Sequence, residues 1–393
     1  MKKQRLDEKD ERLMLIAVAQ LSSEGRTQTE IARTLNISQP QVSRFLKAAV
    51  DRKILGVAPP PPLLEKNISL EEKEQAQAKY FASAELRNKL YPHIQNKNIS
   101  FDVREFAGDE DQFARTAAAR VLQLFRQSRR IGVMSGKNMH KLVEGIKFLT
   151  ASSNAPFPYA AECIPLCGDP IHLMNLRQVD YSASHLAASI NYCLTEKPAT
   201  DLPCLTGVPA YVSRRLQVTK GFKEFLNSIP GYDLIFGSQK KGGARPRVDL
   251  IDTILTGIGI VSTKEDGENM TSAFIRERIE QEEASEENLN KIVLGDIGGL
   301  LIERNKSDRE RVNRLNRGWI GMREEHFHQV AEGAHESGFP GVIVIAFGQE
   351  KKADLVFEII KRGLVNHLLV HSALSKKLQA LAAQSKSCGA PPP

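Results

Sequence analysis

Beyond residue 130 the chain repeats one pattern, a short apolar run followed by a stretch with helical periodicity. The runs fall at 131–134, 159–166, 232–236, 254–261, 291–294, 342–347 and 367–370. The helical stretches fall at 112–126, 137–149, 182–194, 271–283, 322–336, 351–362 and 372–382. Several runs lack the alternation of a half-exposed strand, so both of their faces must be covered. Strands spaced by helices pair in parallel through crossovers. The pattern therefore predicts an α/β fold, a doubly wound, mostly parallel sheet with helices on both faces. Residues 262–290 are acidic and are expected to mix helix with exposed loop.

A chain of 393 residues with 41% hydrophobic content exceeds one small domain and can bury a proper core. No apolar run is long enough to span a bilayer. The start, MKKQRLDEKDER, is charged with no apolar segment behind it, which argues against a secretory signal and for a cytoplasmic protein. The five cysteines, Cys163, Cys167, Cys193, Cys204 and Cys388, form no CxxC pair and read as buried free thiols.

The first 57 residues have a separate character. They hold 11 Lys and Arg against 7 Asp and Glu, a net +4 of the chain's +7. A first helix is expected over 10–24, with Leu13, Ile16, Ala17 and Leu21 on one face. Two shorter helices follow. Thr27 and Glu30 have capping-box spacing, Ile31, Ala32 and Leu35 form a stripe, and Asn36 suits the turn. Ser38 and Gln41 repeat the capping spacing, and Val42, Phe45, Leu46 and Ala49 then recur on one face. Gln39, Pro40, Gln41, Ser43, Arg44 and Lys47 are left outward. Amides pair with adenine, guanidinium with guanine, and Lys and Ser with phosphate, so this helix suits a major groove. The bland alternative is a helical hairpin that packs on protein. The local charge favours DNA, since a basic surface attracts phosphates of any sequence. Residues 53–57 suggest a strand or wing. Pro59 to Pro62 form a stiff spacer, and residues 386–393 an irregular tail. The expected division is a helix-turn-helix domain at 1–57, a linker at 58–66, a large domain at 67–385 and a tail at 386–393.

In an open α/β sheet ligands bind outside the carboxyl ends of the strands. Four turns fit that position: Ser135-Gly136-Lys137-Asn138, Gly257-Ile258-Gly259, Gly295-Asp296-Ile297-Gly298-Gly299 and Gly348-Gln349-Glu350-Lys351. Lys137 and Lys351 open helices, the wrong end for a cation unless an anion is bound there. Phosphate is the natural guest, against the bland reading of two solvated lysines. Residues 132–137 resemble a Walker A loop, but three residues separate the glycines and Asn138 replaces the Mg-binding Ser or Thr, which argues against ATP hydrolysis. His326 and His328 are spaced against a shared metal, and no GxSxG elbow occurs. Trp319 reads as core. Asp296 suits sugar hydroxyls or a turn cap. His371 reads as surface, or as lining the same cleft.

The helix-turn-helix, the spacer, the ordered turns SGKN, GIG, GDIGG and FGQEKKADLVFEIIKRGLVNHLLV, and RVNRLNRGWIGM together resemble the SorC/DeoR-type sugar-binding transcriptional regulators. The similarity runs from about Leu13 to Leu381. It implies a DNA-binding head and an effector and oligomerisation domain related to sugar-phosphate isomerases and deaminases. It also implies a homo-tetramer or dimer of dimers, and partners that are double-stranded operator DNA and a small phosphorylated sugar, with no cofactor, metal or membrane. By position it assigns effector contacts to Ser135, Gly136, Lys137, Asn138, Gly257, Gly259, Asp296, Gly348 and Lys351. DNA contacts fall on Gln39, Gln41, Ser43, Arg44 and Lys47. The chain departs from the family pattern in several places. Lys137-Asn138 replaces Arg-Thr, Phe347 replaces a small residue, His371 replaces Asp, and residues 237–247 are unusually basic. The alternative is a sugar-phosphate isomerase or deaminase with a DNA-binding appendage, using Asp296 and His371 as its base. The regulator, a non-enzyme, is the leading expectation.

Overall fold

The computed structural model describes residues 8–387 except 36, 58–60, 65–66, 70–71, 73–75, 77–81, 97, 107, 152–160, 171–179, 196–202, 238–244, 262–270, 283–284 and 349. Asn36, Pro59, Pro60, Gln349, Cys388, most of the basic stretch 237–247 and the last six tail residues lie outside the described part.

The head is built from α1 (Glu8–Ser23), α2 (Gln28–Leu35) and α3 (Gln39–Asp51). Both capping boxes close. The Thr27 backbone N–H and hydroxyl both donate to Glu30 Oε2, at 2.8 and 2.9 Å, and the Glu30 N–H returns to Thr27 Oγ1 at 3.3 Å. The Ser38 N–H and hydroxyl donate to Gln41 Oε1 at 2.9 and 2.8 Å. One departure is that Leu13 through Ala19 are all buried, so α1 is covered on nearly every side. The cause is double packing: one side meets α2 and α3, while Leu13 and Ile16 meet Ala76 and Ile68. A wing forms between residues 54–56 and 62–64. Leu55 bridges Leu63, Gly56 N–H donates to Pro62 O at 2.7 Å, and Leu64 N–H to Ile54 O at 2.7 Å. Pro61 and Pro62 therefore sit within a small hairpin whose Leu63 packs on the head's core.

The body is a mostly parallel α/β sheet. Its strands are β1 (Asp102–Phe106), β2 (Arg130–Val133), β3 (Glu162–Pro165), β4 (Thr253–Gly259), β7 (Gly341–Ala346) and β8 (His367–His371), in the order β1-β8-β7-β4-β2-β3. An antiparallel hairpin, β5 (Val293–Ile297) and β6 (Leu300–Glu303), pairs with the far end of β4 through Ile258 and Gly259. Residues of the central strands alternate between two cores. Ile254, Val342, Val344 and Val370 face one. Leu255, Ile343, Ile345 and Leu369 face the other, covered by α5 (Glu110–Phe125), α6 (Lys137–Ala151) and α7 (Ala183–Thr195).

The remaining helices are α4 (Ala82–Leu90), the short α8 (Arg214–Gln217), α9 (Phe222–Ser228) and α10 (Pro230–Phe236), then α11 (Ala273–Glu282), α12 (Glu286–Ile292), α13 (Arg309–Asn316), α14 (Glu324–Ser337), α15 (Ala353–Lys361) and α16 (Ser372–Ser387). The expected strand at 232–236 is helical. Pro230 presets the first turn, and Tyr232 stacks on Phe236 one turn later, with centroids 5.5 Å apart. The run at 291–294 straddles the end of α12 and the start of β5. Among the described residues no helix is long and apolar enough to cross a membrane.

The head is seated on the body's β1 edge. Glu24 (2% exposed) lies 3.7 Å from Arg104 Nε (3% exposed). Arg104 and Arg120 also flank Asp102, at 3.4 and 3.2 Å. Burial pushes the Asp102 pKa up. Arg104, His367 and Arg120 outweigh it and hold the carboxylate well below its usual range. The Arg26 guanidinium lies 5.3 Å over the Phe106 ring, and Gln112 Nε2 donates to Glu30 Oε1 at 3.2 Å.

Candidate functional site: a cavity at the sheet's switch point

The chain runs from β2 outward to β3 in one direction, and from β4 through β7 to β8 in the other. The reversal lies between β2 and β4, where a crevice opens at the strands' carboxyl ends. A cavity of about 460 Å³ occupies that place. Ser135, Gly136, Lys137, Asn138, Gly257, Gly259, Asp296 and Gly348 all line it. Four separate segments thus converge: the loops after β2 and β7, the end of β4, and the turn of the β5–β6 hairpin that pairs with it.

Lys351 does not line the cavity; Lys352 does. Glu350–Lys352 is a 3-10 turn, which advances the chain about a third of a turn per residue and carries Lys351 to the exposed side. Lys352 Nζ donates to Phe347 O at 2.7 Å, inside the wall. Burial lowers its pKa, against the pull of Asp296 and Glu110.

Asp296 is 2% exposed. Its Oδ1 accepts the Gly299 N–H at 2.8 Å. Its Oδ2, beside Ser272, has no well-formed hydrogen bond among the described residues. Burial raises the Asp296 pKa, opposed by Ser272, the Gly299 N–H, Arg278 and Lys352. Gly259 is required here, since a Cβ would come within 2.4 Å of Asp296 Oδ2. On the opposite sign, Arg276 also lines the cavity, and its Nε is buried without a hydrogen-bond partner among the described residues. The wall therefore holds a buried donor and a buried acceptor without a well-formed partner among the described residues, with Lys352 as a second cation in the wall and Lys137 exposed at the mouth.

Behind Asp296 stands a buried cation that the sequence conceals. Arg278 lies between Tyr211 and Trp319, 5.0 and 5.3 Å from their centroids, and donates to Gly299 O at 2.7 Å and Phe274 O at 3.0 Å. Burial brings its pKa down to about 10. It clamps the turn whose N–H holds Asp296. Gly299 (φ +94°) is fixed from the other side, because a Cβ there would meet the Trp319 ring at 2.1 Å.

His371 is not among the residues lining the cavity. Its ring packs 5.0 Å from that of Phe347, and its Nε2 pairs with Gly108 O at 2.9 Å. His326 Nδ1 accepts the Arg323 N–H, His328 lies near Glu324, and no cluster of three metal-ligating side chains occurs among the described residues. Cys163 and Cys167 are buried free thiols, Cys193 is half-buried, and Cys204 is exposed, contrary to the expectation of burial.

Asp169, next to cavity-lining Pro170, is buried and its pKa is raised to about 6, chiefly by desolvation; the Gly207 N–H opposes this weakly. A folded pKa above the ordinary 3.8 means that folding favours the protonated acid. Its stabilising contribution is full below pH 3.8 and is lost as pH rises through 6. Asp169→Asn is therefore expected to raise Tm by a few degrees at pH 7.5 and not at pH 4. Thermal melts at both pH values check this, and equal shifts at both would contradict it.

No protein-family profile matches this chain, and no curated protein matches it. Solved structures do. A transcriptional regulator from Streptococcus pneumoniae TIGR4 superposes with a TM-score of 0.50 at 14% identity, over 77% of this chain and 96% of that one. The full-length sorbitol operon regulator SorC from Klebsiella pneumoniae gives 0.49 at 19% identity, over 94% and 99%. A putative sugar-binding domain of a transcriptional repressor from Vibrio fischeri gives 0.45 at 15%, over 77% and 98%. At such identities the first of these shows a shared fold, a mostly parallel α/β body, and nothing finer.

Proposed function

We propose that this chain is a transcription regulator that grips operator DNA through α3, and that a small phosphorylated sugar in the switch-point cavity sets the grip. The observation that carries the reading is the pair of orphaned atoms in one cavity wall, Arg276 Nε and Asp296 Oδ2. Buried polar groups left without partners mark sites that something else completes. A sugar phosphate supplies both complements. Its anionic oxygens suit Arg276, Lys352 and Lys137, together with the backbone at Ser135 to Asn138. Its hydroxyls donate to Asp296. Gly257, Gly259 and Gly348 keep the walls close to the ligand. No cofactor or metal enters this reading.

On the head, Gln39, Ser43, Arg44 and Lys47 are exposed and Gln41 is partly so, while Val42, Phe45 and Ala49 are buried. This is the polarity that a groove-reading helix needs. Heads paired in a homo-oligomer, a tetramer or dimer of dimers, would set two such helices about 34–36 Å apart. Coupling is short. The first turn of α5 carries Glu110 in the cavity wall and Gln112 against the head's Glu30. An effector shifts the assembly only by its preference for one state. Of the two bases that the enzymatic alternative could use, Asp296 lines the cavity and His371 packs against Phe347 without lining it, so Asp296 alone would have to serve.

Arg44→Ala is expected to weaken binding to a selected site about 5- to 150-fold, the value of one base-reading pair, and to narrow the gap to random DNA. Gel-shift titrations on both duplexes check this. Undiminished discrimination would contradict the assignment of Arg44.

A further inference from the structure

Residues 304–317 hold six cations (Arg304, Lys306, Arg309, Arg311, Arg314 and Arg317) against Asp308 and Glu310, a net +4 equal to that of the first 57 residues. All six are exposed, on α13, the turn that leads into it and the residue that caps its end. Several helix-surface cations elsewhere are paired with an acid one turn away: Lys89 with Glu85, Lys147 with Glu144, Lys291 with Glu287 and Lys361 with Glu358. On α13 they are not. Glu310 stands four residues before Arg314, a spacing that favours an ion pair, yet none forms. Asp308 takes its hydrogen bond from Asn305. Arg304 is spent on Asn290 and the Val293 carbonyl. The other five have no acidic partner among the described residues.

The platform beneath them is rigid. α13 buries Val312 and Asn316 against β6, and the Asn316 side chain clamps both the N–H and the C=O of Leu301, at 3.0 and 2.9 Å. Arg323 in turn donates to Asn316 O. The ridge thus rides on the β5–β6 hairpin that carries Asp296.

We propose that this ridge is a second contact surface for duplex DNA, gripping its phosphate backbone while α3 reads the groove; the proposal rests on the DNA-binding reading above. Five of the six cations are arginines, whose planar fork takes two oxygens of one phosphate. No aromatic side chain occurs in 304–317, so unpaired bases have nothing to stack on, which favours a duplex over a single strand. An acidic protein partner would want an apolar centre inside the charged rim. Here Val312 is buried and Leu315 half-buried, and the exposed face is polar throughout.

The test uses the full chain with Arg311, Arg314 and Arg317 all changed to Gln, and a random-sequence duplex as probe. The plot of log K against log salt is expected to become shallower by about 2.7, three phosphate contacts at about 0.9 each. The loss should be the same on random duplex and on a selected site, with circular dichroism and Tm unchanged, since the three side chains are exposed. A slope equal to that of wild type overturns the proposal. So does an unchanged slope with lost binding to polyglutamate, which would assign the ridge to an acidic protein. If wild type itself binds no duplex at any salt, the DNA-binding reading falls first and the ridge with it.

Discussion

Lys352→Met is expected to erase the stabilisation that a sugar phosphate confers on this protein. At a ligand concentration about 100 times Kd that stabilisation is about 2.7 kcal/mol, and the variant should show almost none of it. The reason is the placement of the ammonium. Lys352 Nζ is held by Phe347 O inside the cavity wall, under the pull of Asp296 and Glu110. Burial disfavours this charge in the free protein, with Asp296 and Glu110 opposing, and an incoming anion would favour it further. Methionine fills similar space without the charge, so the free protein should melt within a few degrees of wild type. Thermal shifts with a panel of pentose and hexose phosphates check this. A full ligand shift in the variant would remove Lys352 from the site. Lys351→Met is the natural control and should respond as wild type does.

Arg104→Ala is expected to cost about 3–5 kcal/mol, the usual penalty for removing one member of a buried ion pair. Arg104 is the cation between Glu24 of the head and Asp102 of the body; truncation strands the buried Glu24 carboxylate and leaves Asp102 to Arg120 and His367 alone. The loss should be partly recovered in Arg104→Met with Glu24→Gln, which removes charge from both sides of the joint. Denaturant melts of the single and double variants measure it. A single variant as stable as wild type would mean that the joint between head and body carries no weight.

The sequence made much of this visible and hid the rest for identifiable reasons. The central strands were legible because they are covered on both faces: β7 reads as an unbroken apolar run, and β4 as one interrupted only by threonine and glycine. The head was legible because Thr27–Glu30 and Ser38–Gln41 are local signals that need no tertiary partner. β1 went unread because DVREF mixes Asp102, Arg104 and Glu105 with apolar residues; Arg104 is buried against the head's Glu24 and the other two are half-buried, a fact that only the tertiary structure contains. Arg276 and Arg278 sit in FIRERIEQE, which reads as a polar surface helix. Nothing local says that Tyr211 and Trp319 close over Arg278. Lys352 was missed by one residue because the Gly-x-x-Lys spacing assumes a different turn from the 3-10 turn that forms. The strand expected at 232–236 failed to the opposite signal, a proline at a helix's first position.

The most direct test of the whole account is selection from a pool of random duplexes with the purified full-length chain, run in parallel without and with sugar phosphates. The account predicts enrichment of a two-fold-symmetric site whose half-sites lie about one helical turn apart. It also predicts that at least one phosphorylated sugar changes the recovery of that site, and that Arg44→Ala yields a degenerate pool. Recovery of no common site by the wild-type chain, under either condition, would contradict it.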